Sequence, residues 1–241
     1  MCAKTEYSRI DFFNLENEKR YEEYAALNPD MDTDEIVWRV NNNLDKEKYK
    51  FDVLVSDGND PYVIVNKYFK LPEDYCPPDL VSVDERFMRK DTAEAYVRMR
   101  DAAKSEGFSI KVTSAYRSID DQKKLYNKFL LNDPAEIVDE TCARPCYSEH
   151  HTGLAIDVQG SVPGARNIIS TPEAAWVREN CFKFGFIIRY LPETVEITGY
   201  ASEPWHLRYV GVGVSTDMIE KNIKSFEEYR ERYLKAKNSV I

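Results

Sequence analysis

The spacing of apolar and polar positions divides the chain into a helical beginning and a mixed remainder. Tyr21, Tyr24 and Leu27 recur at helical intervals, a weak stripe that Asn28-Pro29-Asp30 interrupts. Asp32 or Thr33 caps a second short helix to about Asn42, with Ile36, Val37 and Val40 as its apolar side. Tyr62–Val65 and Leu80–Val83 read as short strands on either side of a proline-rich loop, Leu71–Asp79. From Asp91 a helix follows, with Tyr96, Met99, Ala102 and Ala103 on one side and Gly107 as its stop. Phe108–Ser114 reads as a strand, and Ser118 with Asp121 opens a helix to about Leu131. A polar loop runs to His151. Beyond it come a strand at Gly153–Val158 and a helix from Thr171 to Phe184, with Pro172 in its first turn. Phe186–Tyr190 and Trp205–Tyr209 are strands, and Ser225 caps a last charged helix that ends near Lys237.

Strands and helices are interspersed without the regular spacing of βαβ units. The expected class is therefore α+β, a small antiparallel sheet flanked by helices. Residues 1–59 are expected to form a helical extension packed on a catalytic domain of residues 60–241.

Composition narrows the function. The 42 acidic residues outnumber 33 Lys and Arg, giving a net charge of −9, which speaks against general nucleic-acid binding. No apolar run approaches the ~20 residues of a membrane span. The opening MCAKTEYSRI has no apolar stretch of a signal peptide, so any export or anchor segment is expected to lie outside this sequence. Cysteines stand at 2, 76, 142, 146 and 181, an odd number that leaves at least one thiol unpaired in a monomer. Cys142 and Cys146 can bridge only if their loop turns back, which spacing does not fix. Cys76 and Cys181 read as free, buried thiols.

The three histidines carry the most chemistry. His150 and His151 lie in Ser148-Glu-His-His-Thr-Gly-Leu-Ala-Ile-Asp157, and His206 closes Glu203-Pro-Trp-His206. Strand alternation puts Gly153, Ala155 and Asp157 on one face and Leu154, Ile156 and Val158 on the other. The first face is a carboxylate flanked by very small residues, with room for an ion or ligand. In the later strand His206 and Arg208 share a face, and His206 can reach the pocket of Asp157. Two imidazoles and one carboxylate satisfy a catalytic zinc that keeps one position open. Hydrolysis also needs a carboxylate off the metal, and Glu203 is a candidate. Ordinary hydrogen-bonded histidines satisfy the same residues equally well.

These stretches resemble the VanY-type D-alanyl-D-alanine carboxypeptidases, within a zinc peptidase group that has lysostaphin-like and Hedgehog-like relatives. The pattern S-x-H-x-x-G-x-A-x-D followed by E-x-W-H appears as Ser148, His150, Gly153, Ala155, Asp157, then Glu203, Trp205, His206. Upstream, Ser114-Ala-Tyr116-Arg117-Ser118 and Gln122 match a further motif, and the likeness extends over about residues 60–212. It implies one zinc ion (Zn2+) per chain, held by His150, Asp157 and His206, with Glu203 as general base and acid. It further implies that Arg117 binds the substrate carboxylate or the developing oxyanion, and that Gln122, Ser148, Tyr190 and Trp205 line the peptide. Structural roles compete at these last four: a solvated helix residue, a loop cap, strand packing and core. His151 falls at a variable position and is expected beside the metal ligands or in solvent.

The activity implied is removal of the terminal D-alanine from a peptidoglycan stem peptide, at the cell envelope, with a cytoplasmic role on precursors or recycled peptides as the alternative. An L,D-carboxypeptidase or an L-Ala–D-Glu endopeptidase can use the same metal set. A zinc-containing wall-binding module without activity is the reading from another class. Oligomeric state is left open.

Overall fold

The computed structural model describes residues 6–50 and 53–235. These fall into two compact units, residues 6–50 with 225–235, and residues 53–224. The boundary thus lies near residue 51 rather than 59. The segment from Ser225 groups with the N-terminal helices rather than with the catalytic region.

In the first unit, helices α1 (Glu18–Leu27) and α2 (Thr33–Asn41) pack around Tyr7, Tyr21, Ile36, Val37 and Val40. The α2 stripe is as expected. The α1 stripe is narrower, because Tyr21 is fully buried while Leu27 is 82% exposed. Tyr21 donates to Asn41 Oδ1 at 2.5 Å, and Asn41 donates onward to Phe12 O and Glu231. Ser225 caps the closing helix through Glu228 N, and after Phe226–Tyr229 the turn widens to a π-helix over Arg230–Lys235. The expected end near Lys237 lies outside the described residues, as does Cys2.

The second unit begins with β1 (Val53–Leu54) and β2 (Phe69–Lys70), a short parallel pair. Strands β3 (Leu80–Val83) and β4 (Arg86–Arg89) form a hairpin. Its two turn residues, Asp84 and Glu85, both have positive φ, 49° and 63°, the backbone of a primed two-residue turn. No glycine marks that turn, so β4 is invisible to sequence patterning. Helix α3 (Lys90–Ser105) follows, with Gly107 at φ 87° just beyond it. Strands β5 (Lys111–Ser114), β6 (Ala155–Gln159), β7 (Phe186–Tyr190) and β8 (Glu203–Tyr209) form an antiparallel sheet in the order β5-β6-β8-β7. The α+β class holds.

One sheet face is apolar. Ile156, Val158, Leu207 and Phe186 join Tyr96, Met99 and Ala103 of α3, with Trp176 and Val177, in the main core. Burying one such side chain is worth about 1.5–3 kcal/mol. Three further elements differ from the pattern-based expectation. Tyr62–Val65 is not a strand: Val63, Ile64 and Val65 are buried, but the carbonyls of Pro61 and Val63 accept from Arg208 instead of a neighbouring strand. The helix from Pro172 turns to 3-10 geometry at Cys181–Phe184. Val212–Glu220 is a helix that Gly213 and its flanking valines conceal, anchored where Ser215 Oγ donates to Phe182 O at 2.6 Å.

Candidate metal centre

The second sheet face carries the polar cluster. Asp157 on β6 stands directly opposite His206 on β8, and Ala155 opposite Arg208, so all four share one face, as alternation requires. His150 arrives from the turn before β6. Ser148 Oγ accepts from His150 N at 3.3 Å to start a short 3-10 helix, Glu149–Thr152. Gly153 ends it at φ 68°, where a side chain would press on Arg89 N at 3.2 Å. The chain then enters β6 with His150 folded over the sheet.

His150 Nε2 lies 3.3 Å from Asp157 Oδ2, and His206 Nδ1 lies 3.1 Å from Asp157 Oδ1. The two rings meet edge to face, 4.9 Å apart. One ligand atom from each of the three residues falls within 4.8 Å of the others. The remaining ring nitrogens are occupied. His150 Nδ1 faces Ala115 O at 2.7 Å, and His206 Nε2 faces Glu149 Oε2 at 3.4 Å. Two nitrogens and one oxygen point inward while the outer nitrogens are held by acceptors, the donor set and outer shell of a catalytic zinc.

The charges agree. Burial would raise the Asp157 carboxyl, but His150 and His206 outweigh it and hold the group well below the usual carboxylate range. Burial pulls His150 below its ordinary value, against the attraction of Asp157. His206 is pushed up to about 9, because hydrogen bonds to Asp157 and Glu149 overcome burial. Glu203 behaves oppositely to Asp157. Burial dominates and raises it to about 7, with the nearby His206 opposing. Its Oε2 lies 4.0 Å from His206 Nδ1.

A cavity of about 170 Å³ opens over these groups, walled by Arg117, Gln122, Ser148, Tyr190, Trp205 and Arg166 among others. Arg117 N donates to His150 O at 3.1 Å, which ties its turn to the metal turn. Its guanidinium donates to Gln122 Oε1 and Ser114 Oγ, each at 2.7 Å. Gln122 is buried and donates to Ala143 O at 2.7 Å, so it braces Arg117 rather than standing in solvent. Ser148 is both a cap and part of the wall. The Tyr190 ring lies tilted against the His206 ring, 4.8 Å between centroids. Trp205 is half-buried against the core, with Arg166 over its ring at 5.8 Å.

Two expectations resolve here. His151 is not in solvent: it is 1% exposed, its Nδ1 facing Arg117 O at 2.7 Å while its Nε2 accepts from Cys146 N at 3.2 Å. Burial lowers it to about 4, so it stays neutral. Cys142 and Cys146 are both buried free thiols, and Cys181 is buried as expected. Cys76 is exposed instead, within 3.6 Å of the Tyr116 hydroxyl.

Sequence reasoning missed Glu149. It is fully buried, and its Oε1 accepts from Arg189 Nε and Arg208 Nη1, each at 2.9 Å. Burial is outweighed by these guanidiniums, which hold its carboxyl well below the usual range. The available signal was Arg208: alternation places it on the His206 face, where a buried guanidinium demands a carboxylate. A register shift between Ile188 and Tyr190 lets consecutive residues, Arg189 and Tyr190, both reach this cluster.

Comparison with known proteins agrees with this geometry. Residues 85–212, more than half of the chain, match the family described as VanY, D-alanyl-D-alanine carboxypeptidase. The chain belongs to that family. A D-alanyl-D-alanine carboxypeptidase of Enterococcus faecium is 32% identical over 210 residues, covering 81% of this chain and 64% of that protein, so the chain spans somewhat under two thirds of that relative. The LdcB LD-carboxypeptidase structure is similar with a TM-score of 0.68 and 35% identity, over 74% of this chain and 89% of that one. Two VanY structures, one holding Zn(II) and one D-alanyl-D-alanine, have TM-scores of 0.61 and 0.63 at 26% and 27% identity. Each covers 72% of this chain, and 99% and 98% of the respective neighbour. The family is one of zinc peptidases, and the His150–Asp157–His206 cluster fits that metal.

Proposed function

We propose that the chain is a D,D-carboxypeptidase that hydrolyses the last peptide bond of a peptidoglycan stem peptide and releases D-alanine. The observation that carries this is Glu203: a largely but not fully buried carboxyl raised to about 7, off the metal set and 4.0 Å from His206, in the same cleft as Arg117. His150, Asp157 and His206 would hold zinc, which when bound would supply Lewis-acid polarisation of the scissile carbonyl and lower the pKa of a water toward about 7. Glu203 takes the proton of the attacking water and returns it to the leaving amine, a role that suits a group titrating near the working pH.

Arg117 selects a free C-terminus. Gln122 and Ser114 take two of its five N–H donors among the described residues, and the others remain for a carboxylate. That favours a carboxypeptidase over an endopeptidase. Retention of Glu203 favours an enzyme over a wall-binding module, because a structural zinc needs no base. The likeness to LdcB favours one second reading, an L,D-carboxypeptidase acting on tetrapeptides. Action on assembled peptidoglycan would take place outside the cytoplasmic membrane, and action on precursors or recycled peptides inside it. No helix among the described residues is long and apolar enough to cross a membrane.

Incubation of zinc-loaded protein with stem pentapeptide and, separately, tetrapeptide, read by mass with a chelator control, tests the proposal. Loss of one alanine from the pentapeptide is expected. Loss from the tetrapeptide alone transfers the assignment to the L,D class. If zinc is bound at one per chain and neither peptide is cut, the carboxypeptidase reading fails.

A further inference from the structure

We propose that Arg166 is a second anion-recognition point of the cleft, taking a carboxylate that the peptide carries upstream of the scissile bond. The proposal rests on the carboxypeptidase reading and adds to it a class of substrate, a stem peptide with an acidic group on its acyl side.

Two guanidiniums wall the cavity, Arg117 and Arg166. The Asp157 and Glu149 carboxylates there are answered from within the protein, Asp157 by the two histidines and Glu149 by Arg189 and Arg208. Arg166 is different. It is exposed and, among the described residues, makes no hydrogen bond or ion pair. Glu203 shares the cavity without pairing to it. Its contact is with the Trp205 ring, 5.8 Å from the guanidinium carbon to the ring centroid. A cation–π contact uses none of the five N–H donors, so the whole fork is left for a ligand.

The turn that presents Arg166 is anchored on both sides. Gly164 N donates to Gln159 Oε1 at 2.7 Å, Ile168 is fully buried in the main core, and Thr171 Oγ1 donates to Ile168 O at 2.9 Å. Position separates the two arginines. Arg117 N is tied to His150 O, before β6 begins, whereas Arg166 follows the last residue of β6, Gln159, and Asp157 lies in the strand between them. The strand spans about 13 Å at ~3.3 Å per residue, the reach of about four extended peptide residues. One terminal carboxylate therefore does not serve both arginines. With the free C-terminus at Arg117 and the scissile carbonyl over the metal ligands, the residues upstream continue toward Arg166. A stem pentapeptide offers two carboxylates there: that of its γ-linked glutamate, residue two, and the side-chain carboxylate of a diaminopimelate at residue three.

The test measures binding apart from turnover, by calorimetric titration of zinc-loaded E203A and of E203A/R166A. The probes are four synthetic pentapeptides: both carboxylates free, residue two amidated, residue three amidated, and both amidated. In E203A the doubly amidated peptide is expected to bind about fivefold more weakly than the parent, the upper range for a solvent-exposed ion pair. In E203A/R166A that preference should vanish. The single amide that reproduces the loss names the source of the carboxylate, and amidation of the other residue should weaken both proteins alike. A general positive field would instead couple Arg166 equally to both carboxylates, and that result overturns the proposal. So does an E203A that binds the parent and doubly amidated peptides equally, or a preference that survives in E203A/R166A. The E203A series decides the matter should the double variant fail to fold. Wild-type enzyme that cuts every peptide without regard to its upstream charge removes this proposal alone. If no peptide is bound or cut, the carboxypeptidase reading falls and takes this one with it.

Discussion

Leu207 and Arg208 are consecutive residues of β8 and both are 0% exposed, yet they lie in opposite worlds. Leu207 faces Ile156 and the α3 side chains, where contact is non-directional and any well-packed apolar group of similar volume serves. Arg208 faces Glu149, where each donor must meet a particular acceptor at a particular distance. One face of the sheet generates stability from area. The other spends stability on order, because ions removed from water return little net energy even when fully paired. The difference teaches that a catalytic site of this kind needs its own rigid backing, and the apolar face provides it.

The largest expected effect breaks the comparison on the polar face. Glu203→Ala should lower turnover by about 10²–10⁴-fold, the worth of a positioned acid–base group, while zinc stays at one per chain and the melting temperature holds. Product mass together with metal analysis checks this, and loss of zinc would count against Glu203 as the base. The next effect breaks the other face. Leu207→Ala should destabilise by about 2–5 kcal/mol through the cavity it leaves, with kcat/KM of the folded fraction nearly unchanged. Denaturant titration beside kinetics reads both, and a collapse of kcat/KM at intact stability would show that the faces are not separable. The smallest sharpens the substrate side. Arg117→Lys keeps the charge but loses the planar fork held by Gln122 and Ser114, so KM should rise about tenfold with kcat changed less. A substrate amidated at its C-terminus should show no such difference between the two proteins.

Much of this was legible before the structure. The 2-residue period in Gly153–Val158 and Trp205–Tyr209 put Asp157 and His206 on one face and the aliphatic residues on the other, and the strand pairing agrees. Helix α3 and the α2 stripe followed from helical period alone, because each buries one continuous side. Strand β4 did not, since its turn uses Asp84 and Glu85 at positive φ, where patterning looks for glycine or asparagine. Tyr62–Val65 carries a strand's apolar signal but takes its hydrogen bonds from Arg208, 145 residues away from Val63.

By itself, then, the sequence determined the class of fold, the face each strand residue occupies and the identity of the chemically useful side chains, because these depend on local period and on residue type. Tertiary structure alone decided which ring nitrogen of each histidine turns inward, that Glu149 answers two arginines from separate strands, that Gln122 braces Arg117, and that Glu203 is dry enough to titrate near 7. Those outcomes depend on desolvation and on partners distant in the chain, and neither is carried by the order of neighbouring residues.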